Sequence, residues 1–286
     1  MTARDAAILV AVYQYRALTS AQIEALFFSQ GAEKKQPNKL NTRCQYRLQM
    51  LYHHGFLFRD EQPQKLTEGR KPLVYWLDEK GAQFLAEETG EEVDWSSAEY
   101  DVSYLFLTHL LAINEVRVSI TLAAQKHGFV IRTWLDDKHL KSPQMKDYVI
   151  LTGAQGGKQK AAVVPDGYFL LDTGQHLYHH FLELDRGMVT GAATEWGKRD
   201  WARKVAAYLE YYRSGKYEER YKTQGLRILT VTTSEKRLSN LKAITEKTGG
   251  RARFWFTTLD HMHAGDILTD GIWQVAGRDG LHALTW

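Results

Sequence analysis

Cysteine is nearly absent from this chain of 286 residues, which contains only Cys44. A single cysteine excludes a disulfide within the chain and a zinc site built from several cysteines, and it is typical of a reducing compartment. The first residues lack the pattern of a cleaved signal peptide, and no apolar run predicts a membrane span. The sequence therefore predicts a cytoplasmic protein without a membrane partner.

A strong net charge is also lacking, since the formal charge is only +3. The charges are nevertheless unevenly distributed. Residues 34–71 hold nine Lys/Arg against three acids, whereas residues 87–101 hold seven acids and no Lys/Arg. A basic stretch of this kind indicates a surface for a polyanion. With the chain length, it predicts a first domain at 1–90, an acidic linker at 91–102 and a second domain at 103–286.

The basic stretch coincides with the last of three predicted helices, over residues 4–18, 20–28 and 38–53. In the third, Leu40, Cys44, Leu48 and Leu51 recur at helical spacing and predict a buried stripe. The other faces carry side chains that can hydrogen-bond to base edges or phosphates. The candidate DNA-contacting residues of this segment are Lys39, Thr42, Arg43, Tyr46, Arg47 and Gln49.

Two predicted strands, 56–59 and 73–77, follow the third helix and form a hairpin. The segment that joins them contains Lys65, Arg70 and Lys71, which we count among the candidate DNA contacts. Three helices and a basic hairpin are typical of a winged helix-turn-helix, in which the third helix enters the major groove. A small α+β module used for protein contacts is the alternative, but the basic loop and the polar helix face favour DNA.

The remaining sequence predicts a mixed sheet flanked by helices, so that the whole chain is α+β. A long apolar helix spans 103–126. Strands follow at 129–135, 161–171 and 177–184, then a helix at 194–213, a strand at 226–232, a helix at 238–246 and a strand at 252–257. A polar loop is predicted between the first two of these strands.

Three acidic residues are candidates for chemistry in this second region. Asp166 begins one strand, while Glu183 and Asp185 lie two apart on the next and share a face. A turn at Gly174 brings them together, and Glu115 from the long helix is a fourth candidate ligand. Crowded carboxylates repel one another, and Mg²⁺ would relieve that repulsion. A local ion-pair network without metal is the other interpretation.

The same residues resemble the layout of PD-(D/E)xK nucleases, which have Pro-Asp and then Glu-x-Lys on the following strand. Here Pro165-Asp166 and Glu183 match, but Asp185 stands where the lysine is expected. An acid cannot neutralise the scissile phosphate. Lys204, on the following helix, is the candidate for a displaced positive charge and completes the predicted catalytic set of Asp166, Glu183, Asp185 and Lys204.

Taken together, the motifs are similar to those of the replication-relaxation family of plasmid and mobile-element proteins. They comprise the segments 74–81, 108–117 and 165–167, the Glu-x-Asp-Arg-Gly element at 183–187, and Lys204 followed by Tyr208. The resemblance implies DNA binding in plasmid replication, copy control or transfer, and it leaves catalysis open. The departure at Asp185 favours a nuclease-like second domain that has become degenerate.

Three functions remain at this point. The first is a mobile-element DNA-binding protein, with replication or transfer proteins or a second copy of the chain as further partners. The second is an Mg²⁺-dependent endonuclease or nickase. The third is a transcriptional regulator that dimerises through its second domain.

Overall fold

The computed structural model describes residues 1–29, 40–62, 69, 71–153, 156–187 and 200–285. The chain divides into two compact units, Met1–Val118 and Ser119–Trp286. Helices and mixed sheets make the architecture α+β, as the sequence predicted. Three of the candidate DNA contacts, Lys39, Lys65 and Arg70, lie outside the described residues.

The first unit combines short helices with a three-stranded antiparallel sheet. Its elements are α1 (Ala3–Tyr15), β1 (Leu18–Thr19), α2 (Ser20–Phe27), α3 (Thr42–His53), β2 (Leu57–Asp60), β3 (Val74–Leu77) and α4 (Glu79–Thr89). Strand β3 lies between β1 and β2 and pairs antiparallel with both. The third helix begins at Thr42 rather than at residue 38, because Asn41 caps it with a hydrogen bond from the Arg43 amide.

Helices α1 and α2 each begin at a capping box. The Thr2 hydroxyl accepts a hydrogen bond from the Asp5 amide at 3.3 Å, and the Asp5 carboxylate accepts one from the Thr2 amide at 2.7 Å. Thr19 and Gln22 repeat this exchange at 3.1 and 2.9 Å. Each reciprocal pair satisfies two amides that have no partner within the helix, so the sequence itself sets where these helices begin.

Residues 91–102, predicted to be a linker between domains, lie inside the first unit and contact its strand β3. The Trp95 indole donates to the Leu77 carbonyl at 2.9 Å, and the Tyr100 hydroxyl donates to the same carbonyl at 2.8 Å. The Tyr100 ring also stacks on Phe58 at 4.3 Å between centroids. Two half-buried aromatic side chains hold this segment in place, which its acidic composition did not indicate.

Helix α5 (Tyr104–His127) contains the point at which the two units divide. With 24 residues and an 18-residue window of mean hydropathy 1.3, this helix is long and apolar enough to cross a membrane, although no such run was predicted from the sequence. Half of that window is buried inside the protein, as expected for a core helix. In the first unit, Asn114 donates to the carbonyls of Tyr15 and Ala17 at 3.0 and 2.6 Å, which ties α5 to the end of α1.

The second unit is built on a six-stranded mixed sheet. Its strands are β4 (Val130–Asp136), β7 (Gly167–Asp172), β8 (Leu177–Asp185), β9 (Arg227–Thr232), β10 (Phe254–Thr258) and β11 (Gln274–Val275), and their order is β11-β10-β9-β8-β7-β4. Strands β8, β9 and β10 are parallel, and the other pairs are antiparallel. The edge pair β4–β7 has a register shift between Ile131 and Thr133.

The predicted strand over 161–171 is in fact two strands in different sheets. Strand β6 (Lys158–Val163) pairs with β5 (Asp147–Thr152) in a separate antiparallel hairpin, and β7 begins only at Gly167. Pro165 lies in the break, where its missing amide cannot join a ladder. The predicted polar loop before this segment therefore contains β5, together with the short helix α6 (Asp137–Leu140).

The other helices of the second unit are α7 (Trp201–Arg213), α8 (Lys216–Tyr221), α9 (Glu235–Lys247) and α10 (Leu259–Ala264). Buried side chains from α7 and α9, among them Val205 and Leu241, form one core with Phe181 of β8 and Ile228 of β9. This core covers the sheet face to which Phe181, Glu183 and Asp185 point, because they alternate along β8. The two acids therefore point toward helices rather than toward open solvent.

Candidate functional site

Helix α3 divides into a buried apolar stripe and an exposed polar face. Cys44 and Leu48 are fully buried and Leu51 is 4% exposed, which confirms the predicted stripe at three positions. The fourth, Leu40, lies before the helix and is half-buried. On the solvent side, Tyr46 is 56% exposed. Its exposed neighbours on α3 are Thr42, Arg43, Gln45 and Gln49. All five can donate hydrogen bonds, and the four other than Arg43 can also accept them.

A groove of about 1060 Å³ runs beside α3 in the first unit. Gln45 and Gln49 line one wall, and Arg59 and Lys71 of the hairpin segment line another. The Arg59 guanidinium lies 4.1 Å from the ring centroid of Tyr52, so its position is fixed by a cation–π contact. Two cationic side chains and two amides thus share one concave surface next to the exposed face of α3.

Arg47 takes part in an internal ion pair, although the sequence analysis included it among the DNA contacts. Its Nε donates to Asp5 Oδ1 at 2.8 Å, and a second guanidinium nitrogen pairs with Oδ2. The Asp5 side chain is fully buried. Burial acts against ionisation of Asp5, but the hydrogen bonds from Arg47 and Thr2 hold its pKa below the usual value. The pair connects α3 to the beginning of α1.

In the second unit, Asp166 lies beside strand β8. The register pairs Gly167 with Leu182, and the Asp166 carboxylate accepts a hydrogen bond from the Leu184 amide at 2.8 Å. Asp166 thereby comes next to Glu183, and its charge acts on the Glu183 carboxyl. The turn at Gly174 has brought these two acids together in the way that the strand pattern predicted.

Glu183 is held by two residues of α7. The Lys204 ammonium forms an ion pair with one carboxylate oxygen, and the Tyr208 hydroxyl donates to the other. Burial raises the pKa of Glu183 to about 7, with Lys204 opposing and Asp166 reinforcing the change. Burial disfavours the Lys204 ammonium, yet the charges of Glu183 and Asp166 outweigh it and raise the pKa of Lys204. Lys204 remains the positive member of the pair.

Asp185 has a different cationic partner. Arg237, in the first turn of α9, binds its two carboxylate oxygens at 2.6 and 2.9 Å. Thr232, opposite Asp185 in the ladder, donates from its hydroxyl to Asp185 at 3.2 Å. The Asp185 side chain is only 4% exposed. A fork of two charge-assisted bonds to a buried carboxylate leaves few oxygen lone pairs for another ligand.

The four residues predicted to bind a metal, all of them in the described part of the chain, do not form a metal-binding group. Among the described residues, no three His, Cys, Asp or Glu side chains are placed so that they could hold an ion. Glu115 belongs to the first unit, where its carboxylate accepts a hydrogen bond from Gln22 at 3.0 Å. Mg²⁺ prefers oxygen ligands such as these carboxylates. Glu183 and Asp185, however, already have cationic partners in Lys204 and Arg237, so the group does not fit the ion.

Two partners of the acidic cluster, Arg237 and Thr232, were not predicted from the sequence. Both lie about fifty residues beyond Asp185 in the chain, and both reach it only because β9 pairs in parallel with β8. The available signal was the predicted strand at 226–232 followed by a helix, since such a crossover places the start of the helix near the end of the neighbouring strand. Tyr208 was recognised as a motif residue, but its bond to Glu183 was not predicted.

A family model described as Replication-relaxation matches residues 9–226, which include α3, the whole of β8 and helix α7. Neither the curated proteins nor the solved structures gave a match.

Proposed function

Because the chain belongs to the replication-relaxation family, we propose that it binds double-stranded DNA of a plasmid or other mobile element through its first unit. Family membership itself indicates a role in the replication or relaxation of mobile elements. The exposed polar face of α3 is the observation that carries the proposal. It is rich in hydrogen-bonding groups, and cationic residues of the hairpin segment line the groove beside it.

The order of elements in the first unit supports a winged helix-turn-helix. Helix α1, strand β1, helices α2 and α3, and the β2–β3 hairpin follow one another as in that fold. In this proposal α3 is the recognition helix. Its DNA contacts are Thr42, Arg43, Gln45, Tyr46 and Gln49, while Lys71 belongs to the wing. Arg47 is omitted because its guanidinium pairs with Asp5.

We further propose that the second unit is a nuclease-like scaffold without catalytic activity. The order β4, β7, β8, α7, β9 and the parallel pairing of β8 with β9 support a PD-(D/E)xK-like core. Lys204 and Arg237 neutralise Glu183 and Asp185 from within the protein. A carboxylate engaged in this way is a poor ligand for the ion that would polarise a phosphate.

DNA binding is tested with duplexes selected from a random library and measured by fluorescence anisotropy. Arg43→Ala should weaken binding to the selected duplex by about 1–3 kcal/mol, as for the loss of one base contact. Lys236→Ala on α9 removes the same charge from an exposed position outside the first unit, which holds the proposed interface, and should leave affinity unchanged. Equal loss in both variants, or no loss with Arg43→Ala, would contradict docking by α3.

The juxtaposition of Asp166 with Glu183 favours one other candidate function, that of a metal-dependent nickase. Incubation of supercoiled plasmid with the protein and Mg²⁺ or Mn²⁺ distinguishes the two. We expect no nicking. Nicking that disappears in Asp166→Ala would establish the nickase and refute the inactive scaffold.

A further inference from the structure

The β5–β6 hairpin has one apolar face and one basic face. Val149, Leu151, Ala161 and Val163 point into the core of the second unit and are buried. Strand alternation places Tyr148, Ile150, Lys158 and Lys160 on the other face. Ile150 is 52% exposed, and both lysines are exposed. This outward face is therefore open to a partner.

Four lysines lie on or beside this face, and three of them contact Tyr148. The Nζ atoms of Lys160 and Lys146 lie 3.9 and 5.5 Å from the Tyr148 ring centroid. Lys216 donates from its Nζ to the Tyr148 carbonyl at 2.6 Å. Lys158 is the fourth, two residues before Lys160 on β6.

Within the described part of the chain, the Asp147 carboxylate interacts electrostatically with Lys216 of this group. Asp147, next to Tyr148, alternates to the inner side, where Arg220 and the Tyr211 hydroxyl engage it. The four lysines form no ion pair with the described acids. We name Lys146, Lys158, Lys160 and Lys216 the hairpin lysines. They carry a formal charge of +4, in which the Lys216 charge is partly offset by Asp147 and no ion pair with a described acid involves the other three.

We propose that the hairpin lysines form a second nucleic-acid surface, built by the second unit alone, which binds the phosphate backbone of duplex DNA without regard to sequence. This inference rests on the proposed function for its ligand, DNA, but not on α3. Uncompensated lysines are the usual source of sequence-independent affinity, because they release the counterions that surround phosphates.

Lys158 and Lys160 are two residues apart on a strand, about 6.8 Å, so their long side chains can reach different phosphates. One further feature favours duplex DNA over single strands. Single-strand binding would use an open aromatic platform. Tyr148 does not provide one, since lysine ammonium groups cover its ring.

The test is the salt dependence of binding of the full-length protein to a 30-base-pair duplex, followed by fluorescence anisotropy. In the triple variant Lys146→Gln, Lys158→Gln, Lys160→Gln, the slope of log K against log salt should fall by about 2–3 units, on any sequence. The matched control is Lys236→Gln, Lys247→Gln, Arg278→Gln, which removes the same charge from other exposed positions. The slope of this control should stay within about half a unit of the wild-type slope, because we expect its three residues to contact no phosphate.

The outcomes separate this inference from the proposed function. If the triple variant keeps the wild-type slope while Arg43→Ala still weakens binding to the selected duplex, the hairpin surface alone is overturned. If the slope falls in the triple variant while Arg43→Ala binds the selected duplex like wild type, the hairpin surface is supported and docking by α3 is overturned. Equal slope changes in the triple variant and its control overturn the hairpin surface, because they indicate only a response to net charge. Preference of the hairpin lysines for single-stranded DNA or RNA, or no DNA binding by wild type, also overturns it.

Discussion

Replacing Arg237 with glutamine should destabilise the second unit by about 3–5 kcal/mol. The structure sets this magnitude, because Arg237 binds both oxygens of Asp185, whose side chain is 4% exposed. Glutamine removes the charge and leaves a buried carboxylate with only weaker neutral donors, such as the Thr232 hydroxyl. The double variant with Asp185→Asn contains no unpaired charge, so it should be more stable than Arg237→Gln alone.

The assay is hydrogen–deuterium exchange of peptides from β8 and β9, which reports on the second unit separately from the first. Wild type, the two single variants and the double variant form a thermodynamic cycle. We expect a coupling free energy of at least about 2 kcal/mol between Asp185 and Arg237. Mg²⁺ should not stabilise the wild type. An Arg237→Gln variant within 1 kcal/mol of wild type, or marked stabilisation of wild type by Mg²⁺, would refute internal neutralisation of the cluster.

Three other predictions concern single positions. Because burial raises the pKa of Glu183 to about 7, the folded state holds its proton more tightly than the unfolded state. The free energy of unfolding should therefore fall between about pH 4.5 and 7, and more steeply in wild type than in Glu183→Gln. Denaturation at several pH values measures this difference. Gly81→Ala should cost about 1–3 kcal/mol in thermal unfolding, because its Cβ would lie 2.2 Å from the Phe56 carbonyl oxygen. Arg47→Ala should lower the melting temperature by leaving Asp5 buried and unpaired, at a cost of about 2 kcal/mol, and should not change the sequence preference in DNA binding.

Local features of the fold could be predicted because nearby residues determine them. Thr19 and Gln22 are three residues apart, and their capping box marks the beginning of α2 whatever surrounds it. The stripe of Cys44, Leu48 and Leu51 follows from helical spacing alone. Asp166 meets β8 because a single turn joins the two strands. In each case, short separation along the chain limits the possible arrangements.

Features that depend on long-range pairing were missed. The guanidinium of Arg47 reaches Asp5 across 42 residues, so the helix pattern alone suggested a solvent-exposed arginine. Arg237 meets Asp185 across 52 residues, through a parallel strand pair. Strand β6 begins with exposed charged residues, and this polar pattern resembles a loop until its partner β5 is known. Spacing in the sequence carries no information about partners chosen by tertiary packing.

The two edges of the six-stranded sheet have a consequence for behaviour at high concentration. On β4, the register shift between Ile131 and Thr133 distorts the free edge, and Arg132 forms an ion pair with Asp172 at 2.7 Å. At the opposite edge, β11 contains only two residues. A distorted, charged edge and a very short one are both poor templates for strand addition. The sheet should therefore resist fibrillar aggregation, and copies of this chain that associate should do so through surfaces other than its strands.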